Sequence, residues 1–598
     1  MKARWHAFLG KGLAYIVAFF GGRQTAEPSE LKPPVDWYPW EAVYPEDVDW
    51  RAEIAVKPLY AILDDAVARF PDNSCVEFLG RKYRYREIGR LVDCAAKGLQ
   101  DLGVGKGVRV GLFLPNCPYF VVCYYAVLKA GGTVVNMNPL YAEEEVLRQL
   151  TDSETRIVVT LDMRSLHPKL AAVMHQAALE KVIVCRMADA LSFPQKALFT
   201  LLKRKEIASI PVDGRHVAFR TLVANDGDFR PAAIDPARDV ALLQYTGGTT
   251  GTPKGAMLTH ANLYANTMQI GMWFNSIDAG GERILGVLPL FHVFAMTAVM
   301  NAGISHGSEL ILLPRFRLDT VLQAIHKKRP TLLPGVPTMF AAINGYKQLE
   351  KFDLSSLKFC LSGGAPLPMR VKEEFESLTG CKLVEGYGLT ETSPVATVIP
   401  PFGVYKERSV GLPLPQTIVE VTALDDPMRV LPPGATGEIC IRGPQVMVGY
   451  WRRPEETATT MAGGRLHTGD IGHMDEEGYI YITDRAKDLI LVGGYNVYPR
   501  MVEEAILRHP AVEDVAVCGI PDDYRGETVK AFIVTRPDHR LTMGDLKAFL
   551  RDKLAPFEIP RSIAIRATLP RTLIGKISRK DLIAEELAKR QPRPTELA

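Results

Sequence analysis

From residue 57 onward the chain alternates segments of helical period with short apolar runs of strand length. Residues 88–102 and 119–130 have helical spacing and end at glycine, whereas residues 108–114 and 240–244 are apolar runs typical of buried strands. Similar strand-like runs recur at 133–136, 156–160, 181–185, 283–288, 309–313 and 357–361. Because helices that alternate with buried strands predict parallel sheets covered by helices, we expect an α/β fold.

Two stretches depart from this rhythm. Residues 405–483 consist mostly of short strands and turns, which predict a small β-barrel. Residues 186–215 form an irregular insert, and one helical face within it carries apolar side chains beside a basic cluster at 203–205. The apolar residues of this face are Ala197, Leu198, Leu201 and Leu202. A solvated helix packed on the body of the protein is the default interpretation, and a contact with a membrane surface is the alternative.

A charged segment at 484–488 precedes a last stretch that has an α/β pattern of its own. We therefore expect three parts. Residues 1–56 form a membrane-contact segment and an extended arm, and residues 57–486 form a large domain of two helix-covered parallel sheets plus the barrel. Residues 487–598 form a small α/β domain.

The N-terminus combines basic residues (Lys2, Arg4 and Lys11) with the apolar run 13–20. This run is too short to span a bilayer, which requires roughly 20 residues. An interfacial membrane anchor fits the basic and aromatic residues, and a helix packed against the body is an equal alternative. A signal peptide is a weaker interpretation, because 21–26 is a poor cleavage site.

A net charge of +3 is small for 598 residues, so nucleic acid is not expected as a partner. The nine cysteines are widely spaced without a CxxC pair, and most lie in apolar runs. Buried reduced thiols favour a reducing compartment. We expect a cytoplasmic protein, with peripheral contact on the inner face of the cell membrane as an option. No cysteine cluster or His-Glu-x-x-His segment predicts zinc. A homodimer is one alternative for the oligomeric state.

Residues 245–255 read YTGGTTGTPKG and follow the strand-like run 240–244. Glycines allow backbone N–H groups to approach an anion, threonine hydroxyls add donors, and Lys254 adds a positive charge. The candidate phosphate-binding residues are Thr246, Gly247, Gly248, Thr249, Thr250, Gly251 and Lys254. We expect strand, loop and then helix, the usual geometry of a phosphate site; a flexible surface loop is the alternative. An ATPase P-loop is excluded, because Lys254 is followed by Gly255 and not by serine or threonine.

Seven further motifs occur along the chain. They are Leu288-Pro-Leu-Phe-His292, Ser362-Gly-Gly-Ala-Pro-Leu367, Glu385-Gly-Tyr-Gly-Leu-Thr-Glu-Thr392, Thr468-Gly-Asp470, Asp484-Arg485, Gly493-Gly-Tyr-Asn-Val-Tyr-Pro499 and Pro570-Arg-Thr-Leu-Ile-Gly-Lys576. In this order and spacing, together with the glycine loop, they closely resemble the adenylate-forming enzymes: acyl-CoA synthetases, luciferases and adenylation domains. The resemblance covers about 55 to 585, and within the group it is greatest to bacterial long-chain fatty-acid–CoA ligases.

The resemblance implies a ligase that uses ATP to convert a fatty acid into acyl-AMP and pyrophosphate, and then transfers the acyl group to coenzyme A. Fatty acid, ATP and coenzyme A are the implied partners, with Mg²⁺ as cofactor. A long-chain acid is favoured; a medium-chain or aryl acid and an acyl-AMP ligase that loads a carrier protein are the alternatives. A non-catalytic fatty-acid-binding or membrane adaptor protein is disfavoured, because the charged motif residues are intact.

The resemblance also assigns the nucleotide site. Tyr387 and Gly388 belong to the adenine site, where the Tyr387 ring stacks on the base. Gly363, Gly364 and Ala365 shape the narrow part of the nucleotide site, called the glycine slot below. Asp470 accepts hydrogen bonds from the ribose hydroxyls, with Arg485 nearby, since a carboxylate accepts two donors at once. Glu391, beside Thr390, is the expected Mg²⁺ ligand.

For catalysis, the resemblance assigns Lys576 to the first half-reaction, where its ammonium bridges the attacking carboxylate and the α-phosphate. His292 is placed by the acyl and thiol entry. The small domain is expected to swing about Lys487, which stands where many relatives have aspartate.

That swing brings Gly493, Gly494 and Tyr495 to the coenzyme A channel. Met296 occupies the position at which some long-chain relatives carry a tryptophan that gates the acyl tunnel. Gly247 and Gly248 stand where many relatives have Ser-Gly, so one hydroxyl donor is lost.

Overall fold

The computed structural model describes residues 37–246, 253–275, 278–492, 495–522, 526–572 and 575–590. The predicted N-terminal membrane segment therefore lies outside the described residues. So do Gly247, Gly248, Thr249, Thr250 and Gly251 of the phosphate loop, and Gly493 and Gly494 of the predicted coenzyme A channel.

The strands are β1 Ser74–Phe78, β2 Arg81–Arg84, β3 Arg109–Phe113, β4 Thr133–Asn136, β5 Ile157–Leu161, β6 Lys181–Cys185, β7 His216–Ala218, β8 Val240–Thr246, β9 Lys254–Thr259, β10 Arg283–Gly286, β11 Glu309–Leu312, β12 Leu332–Gly335, β13 Phe359–Ser362, β14 Lys382–Gly388, β15 Val395–Val398, β16 Leu412–Pro413, β17 Ile418–Thr422, β18 Gly437–Arg442, β19 Gly449–Tyr450, β20 Leu466–Met474, β21 Ile480–Arg485, β22 Ile490–Val492, β23 Tyr495–Val497, β24 Val512–Asp522, β25 Gly526–Thr535 and β26 Ser562–Arg566.

The α-helices are α1 Ala61–Arg69, α2 Tyr85–Asp101, α3 Pro118–Lys129, α4 Glu143–Ser153, α5 His167–Val173, α6 Phe193–Leu202, α7 Phe219–Leu222, α8 His260–Trp273, α9 Val293–Ala295, α10 Ala302–Ser305, α11 Leu318–Lys328, α12 Pro337–Asn344, α13 Met369–Thr379, α14 Pro454–Thr460, α15 Pro499–Leu507, α16 Met543–Leu550 and α17 Arg579–Arg590. A π-helix, Met296–Asn301, joins α9 to α10.

Two large sheets form the body of the protein, as the α/β pattern predicts. One has the order β16-β15-β14-β13-β12-β10-β11-β1-β2 and is parallel from β14 to β1. The other has the order β19-β9-β8-β4-β3-β5-β6-β7 and is parallel from β8 to β7. Strands from β3 to β6 are buried on both faces, which explains their continuous apolar runs.

The barrel expected over 405–483 is instead an open antiparallel sheet of order β17-β18-β20-β21. The predicted short strands are present and pair in sequence. Within this stretch, however, β17 and β21 do not pair with each other, so the sheet does not close into a barrel. Trp40 and Trp50 of the preceding arm cover part of this region; the Trp50 indole N–H donates to the carbonyl of Thr417 (3.2 Å). Period-two patterning specifies strands but not their closure, which is why the prediction of a barrel was wrong.

The hydrophobic core divides between Ile480 and Ile490. One core runs from Tyr38 to Ile480 through both large sheets, and separate cores lie within 490–582 around the sheet β23-β22-β25-β24, to which β26 adds in parallel. The two parts therefore have separate hydrophobic cores.

All nine cysteines are free and buried. Among the residues that the structure describes, none of the helices has both the length and the apolar character needed to cross a membrane.

Candidate active site

The phosphate loop joins two antiparallel strands. β8 leads into it and β9 leaves it, with Thr246 paired opposite Lys254. The expected order of strand, loop and helix was therefore wrong, because the six residues Lys254–Thr259 pair with β8 before α8 begins. This pairing fixes Lys254 at the base of the loop.

Lys254 is one member of a cluster with Tyr450 and Glu391. The Lys254 ammonium lies 5.1 Å from the centre of the Tyr450 ring, and the Tyr450 hydroxyl donates to Glu391 Oε1 (2.7 Å). Glu391 lies in the 3₁₀ turn Thr390–Thr392, and its carbonyl accepts from the N–H of Met447 (2.8 Å). The predicted lysine and predicted carboxylate are thus brought together, through a tyrosine that the sequence reasoning missed.

Tyr387, Asp470 and Arg485 form a second cluster. The Tyr387 hydroxyl donates to Asp470 Oδ2 (2.7 Å), and Arg485 Nε lies 2.7 Å from Asp470 Oδ1. Asp470 and Arg485 are paired opposite each other on β20 and β21, which explains how residues 15 positions apart meet. Asp470 is buried, so its carboxylate is held in one orientation by both partners.

Glycines allow close backbone approach beside these clusters. A side chain at Gly388 would place its Cβ 1.8 Å from the carbonyl oxygen of Pro394, so only glycine fits there. Gly363 packs against the Phe294 ring, and Gly364 has a positive φ of 80°. Ala365 follows them between β13 and α13.

Lys576 enters the cleft from the small domain on a turn. Gly575 adopts a positive φ of 76°, and the N–H of Lys576 is 3.2 Å from Thr572 Oγ1. A Cβ at Gly575 would lie 2.7 Å from Thr338 Oγ1, and one at Gly364 would lie 4.0 Å from Lys576 Cε. The lysine predicted to be catalytic therefore reaches the glycine slot of the large domain.

The pKa of Lys576 is lowered to about 8. The main cause is desolvation by the surrounding cleft walls, and the second is the positive charge of Arg485, opposed by Asp470. Lys576 is nonetheless an exposed residue, so solvent weakens this effect of the cleft walls.

This pKa predicts an alkaline limb in the adenylation rate. The ammonium form, which can neutralise developing negative charge, predominates below the folded-state pKa and is lost as pH rises through it. We expect kcat/KM for ATP, which reports the free enzyme, to fall as pH rises through about 8. The conservative Lys576→Arg variant, whose guanidinium remains charged, should retain a flat profile there. A wild-type profile that stays flat through this range would contradict the assignment.

His292 caps the N-terminus of α9, and its Nδ1 accepts from the N–H of Phe294 (3.3 Å). Burial, and secondarily the charge of Lys576, lowers the pKa of His292 to about 4. The ring is therefore neutral near pH 7, and the acceptor role of Nδ1 leaves the proton on Nε2. This imidazole can donate a hydrogen bond but has no role as a cation.

Three further residues support the site although the sequence reasoning assigned them no role. Burial raises the pKa of Glu385 to about 8, and its Oε1 accepts from the N–H of Leu367 (3.2 Å). The charge of Arg500 acts on both Glu385 and Lys576. Glu438 accepts from the N–H of Gly469 (2.9 Å) through Oε1, next to Asp470. Glu385 is the first residue of the motif Glu385–Thr392, but no sequence motif marks Glu438, because only the register of its strand brings it to the site.

Lys487 lies in the 3₁₀ turn Ala486–Asp488 between β21 and β22. On one side of it, Arg485 is bonded to Asp470 of the large domain. On the other side, Asp488 is 3.1 Å from Nη1 of Arg579, which also contacts Glu503 (2.8 Å) in the small domain. Arg485 is thus bonded within the large domain and Asp488 within the small one, and the N–H of Arg500 in the small domain donates across the two to Asp484 (2.7 Å).

A small, mainly apolar cavity lies between α8, the π-helix and the first sheet. Its apolar walls include Ile270, Phe274, Ala298, Ala302, Leu333 and Leu361. Leu361 directly precedes Ser362 and Gly363, so one end approaches the glycine slot; His306 and Ser308 also line it. Met296 is buried, but it is not in this lining, and its Sδ is 3.4 Å from Asn136 Nδ2.

Helix α8 forms one wall of this cavity, and the capping of its N-terminus explains how the helix is positioned. Thr259 Oγ1 accepts from the N–H of Asn262 (3.1 Å), and Asn262 Oδ1 accepts from the N–H of Thr259 (3.0 Å). This reciprocal pair satisfies the first free N–H groups of the helix and fixes its start directly after β9.

Comparison with protein-family models matches residues 63–451 to AMP-binding enzyme and residues 501–576 to AMP-binding enzyme C-terminal domain. The chain is 44% identical over 562 residues to a long-chain-fatty-acid–CoA ligase of Bacillus subtilis, covering 92% of this chain and 98% of that relative. It is 37% identical over 561 residues to a long-chain-fatty-acid–CoA ligase of Escherichia coli O6:H1, with the same coverage.

Among solved structures, ATP-bound MatB from Rhodopseudomonas palustris superposes with a TM-score of 0.79 at 29% identity. The match covers 89% of this chain and 99% of that one. A feruloyl-CoA synthase of Amycolatopsis is 34% identical over 507 residues, covering 85% of this chain and 94% of that relative.

Proposed function

Because the chain belongs to the AMP-binding enzyme family, we propose that it is a ligase that activates a long-chain fatty acid with ATP and transfers the acyl group to coenzyme A. One observation carries the proposal: Lys576 of the small domain, the Asp470–Arg485 pair and the glycine slot meet in one cleft, and Leu361, two residues before that slot, lines an apolar cavity.

In the first step, a carboxylate oxygen of the acid attacks the α-phosphorus of ATP. The bond from that phosphorus to the bridging oxygen breaks, and pyrophosphate leaves. Lys254 at the base of the phosphate loop would hold the departing phosphates, and Asp470 would accept from the ribose hydroxyls. These groups act by positioning and charge neutralisation, the main sources of catalysis in phosphoryl and nucleotidyl transfer.

Glu391 fits a role in holding Mg²⁺. Tyr450 is bonded to one of its carboxylate oxygens, and in the described part of the chain no protein group is bonded to Oε2. A single carboxylate is sufficient, because Mg²⁺ usually retains waters and binds substrate phosphates beside one or two carboxylates. When bound, the ion would neutralise charge on the phosphates of ATP.

Lys576 is placed to stabilise the negative charge that develops between the carboxylate and the α-phosphate. Neutral His292, with its proton on Nε2, would donate a hydrogen bond near the acyl group without adding charge. Lys576 and His292 lie close enough for the charge of Lys576 to act on the imidazole.

In the second step, the thiol sulfur of coenzyme A attacks the acyl carbon, and AMP leaves. We propose that residues 487–598 turn as one unit about Lys487, which withdraws Lys576 and brings the 493–495 loop to the thiol channel. The contrasting attachments of Arg485 and Asp488 support this pivot, since a rotation there breaks neither pair.

The apolar cavity is the proposed site of the acyl chain. Ala298→Phe would fill part of the space between the π-helix and Leu361, because the small side chain leaves room there. We expect kcat/KM for palmitate to fall at least about tenfold, with a smaller change for hexanoate, whose chain ends closer to the slot. Competition assays with both acids in one mixture would measure the ratio; an unchanged ratio would place the chain elsewhere.

The proposed function is tested by incubating the protein with ATP, coenzyme A and acids from six to eighteen carbons plus benzoate and ferulate. AMP, pyrophosphate and the thioester should form in equal amounts, with long-chain acids preferred. Preference for a short or aryl acid would support the alternative ligases. Acyl-AMP without thioester would indicate a carrier-loading enzyme, and no AMP with any acid would refute the ligase.

A further inference from the structure

Helix α6 presents an apolar face to solvent. Phe193 is 85% exposed, Leu201 78% and Leu202 66%, and no residue of this helix is buried. Helices of soluble proteins normally turn such a stripe toward the core. The default expectation of a solvated helix packed on the body therefore holds for the side of α6 that carries Phe199, whereas the predicted apolar face is exposed.

The orientation of α6 is fixed by its other side. Phe199 is partly buried and packs against the main core. Gln195 lies over the β1–β2 turn, where a Cβ at Gly80 would be 2.9 Å from Gln195 Nε2. The apolar face is consequently held outward by the packing of these two residues.

Positive charge borders this face. From Phe193 to Lys205 the chain has four basic residues and no acidic one. Lys196 pairs with Asp189 (2.6 Å) and Lys203 with Glu206 (2.5 Å), whereas Arg204 and Lys205 have no ion pair with any residue in the described ranges.

We propose that α6 docks on the surface of an anionic lipid bilayer. Phe193, Leu201 and Leu202 enter the interface, and Arg204 and Lys205 contact acidic headgroups. A second copy of the chain is a poorer occupant, because a symmetric contact would bring the two basic clusters together. The role rests on the proposed function, since a long-chain fatty acid partitions into membranes and α6 would hold the enzyme at that source.

The test is co-sedimentation of the full chain with vesicles of phosphatidylglycerol and phosphatidylcholine, or of phosphatidylcholine alone. The variant Phe193→Ser/Leu201→Ser/Leu202→Ser should lower partitioning onto the anionic vesicles at least tenfold. The control variant Leu424→Ser/Met428→Ser alters two side chains that are 50% and 57% exposed on another surface, and should partition as wild type. Arg204→Glu/Lys205→Glu should weaken binding to the anionic vesicles only.

Wild-type partitioning of the triple variant would overturn the proposal, as would binding that depends solely on residues 1–23. Wild-type dimers that the triple variant dissociates would also overturn it, by assigning the face to a second copy. Activity on hexanoate in solution should be unchanged in the triple variant, which verifies its fold. Absence of activity in wild type with every acid from six to eighteen carbons would refute the ligase while leaving the vesicle result interpretable.

Discussion

Replacing Lys576 with alanine is expected to lower the rate of adenylation by roughly three orders of magnitude. The side chain reaches the glycine slot from the small domain, where it is the residue whose charge can bridge the carboxylate and the α-phosphate. Thioester formation from supplied acyl-AMP should change little, because the proposed rotation removes this lysine before the thiol attacks. ATP–pyrophosphate exchange measures the first step, and thioester release from synthetic acyl-AMP measures the second.

Lys580→Ala is the matched control, since this exposed lysine lies four residues further on and outside the cleft. It should leave both rates unchanged. Equal loss of both half-reactions in Lys576→Ala would contradict the assigned role and indicate a structural effect.

Asp470→Asn is expected to lower kcat/KM for ATP about a hundredfold. The substitution keeps the shape of the side chain but removes the charge that Arg485 pairs with at 2.7 Å and one acceptor for the ribose. Removing one member of a buried charged pair typically costs at least about 2 kcal/mol, and each 1.4 kcal/mol is tenfold. Steady-state kinetics with ATP varied at saturating acid and coenzyme A measures the loss.

Glu476→Gln makes the same chemical change at an exposed position of the β20–β21 hairpin and should be silent. Tyr387→Phe should have a smaller effect than Asp470→Asn, because it removes one neutral donor from the carboxylate. A comparable loss in Glu476→Gln would show that hairpin charge, and not the Asp470–Arg485 pair, governs ATP use.

The sequence predicted the α/β class and parallel sheets covered by helices, because continuous apolar runs report burial directly. It did not predict closure of the sheet over 405–483, nor the strand that follows the phosphate loop, since both depend on pairing between distant segments. The sequence left two alternatives open for helix α6 for a related reason: a helical stripe shows which residues share a face but not whether anything covers it.

The site residues likewise divide into those that the sequence predicted and those that only the structure reveals. The motifs identified Lys254, Glu391, Asp470, Arg485 and Lys576. These residues were predictable because the charge of each side chain suits the role that it was assigned. Tyr450, which bridges Lys254 and Glu391, and Glu438, which holds the turn before Asp470, are found only from the contacts. Their positions follow from register, which a single sequence does not encode locally.

The central claim is that the acid attacks the α-phosphate of ATP. Turnover of a long-chain acid labelled with ¹⁸O in both carboxylate oxygens, in the presence of coenzyme A, tests it most directly. The account predicts one ¹⁸O atom in the phosphate of AMP and none in pyrophosphate. Label in pyrophosphate or inorganic phosphate, or ADP as the nucleotide product, would contradict it.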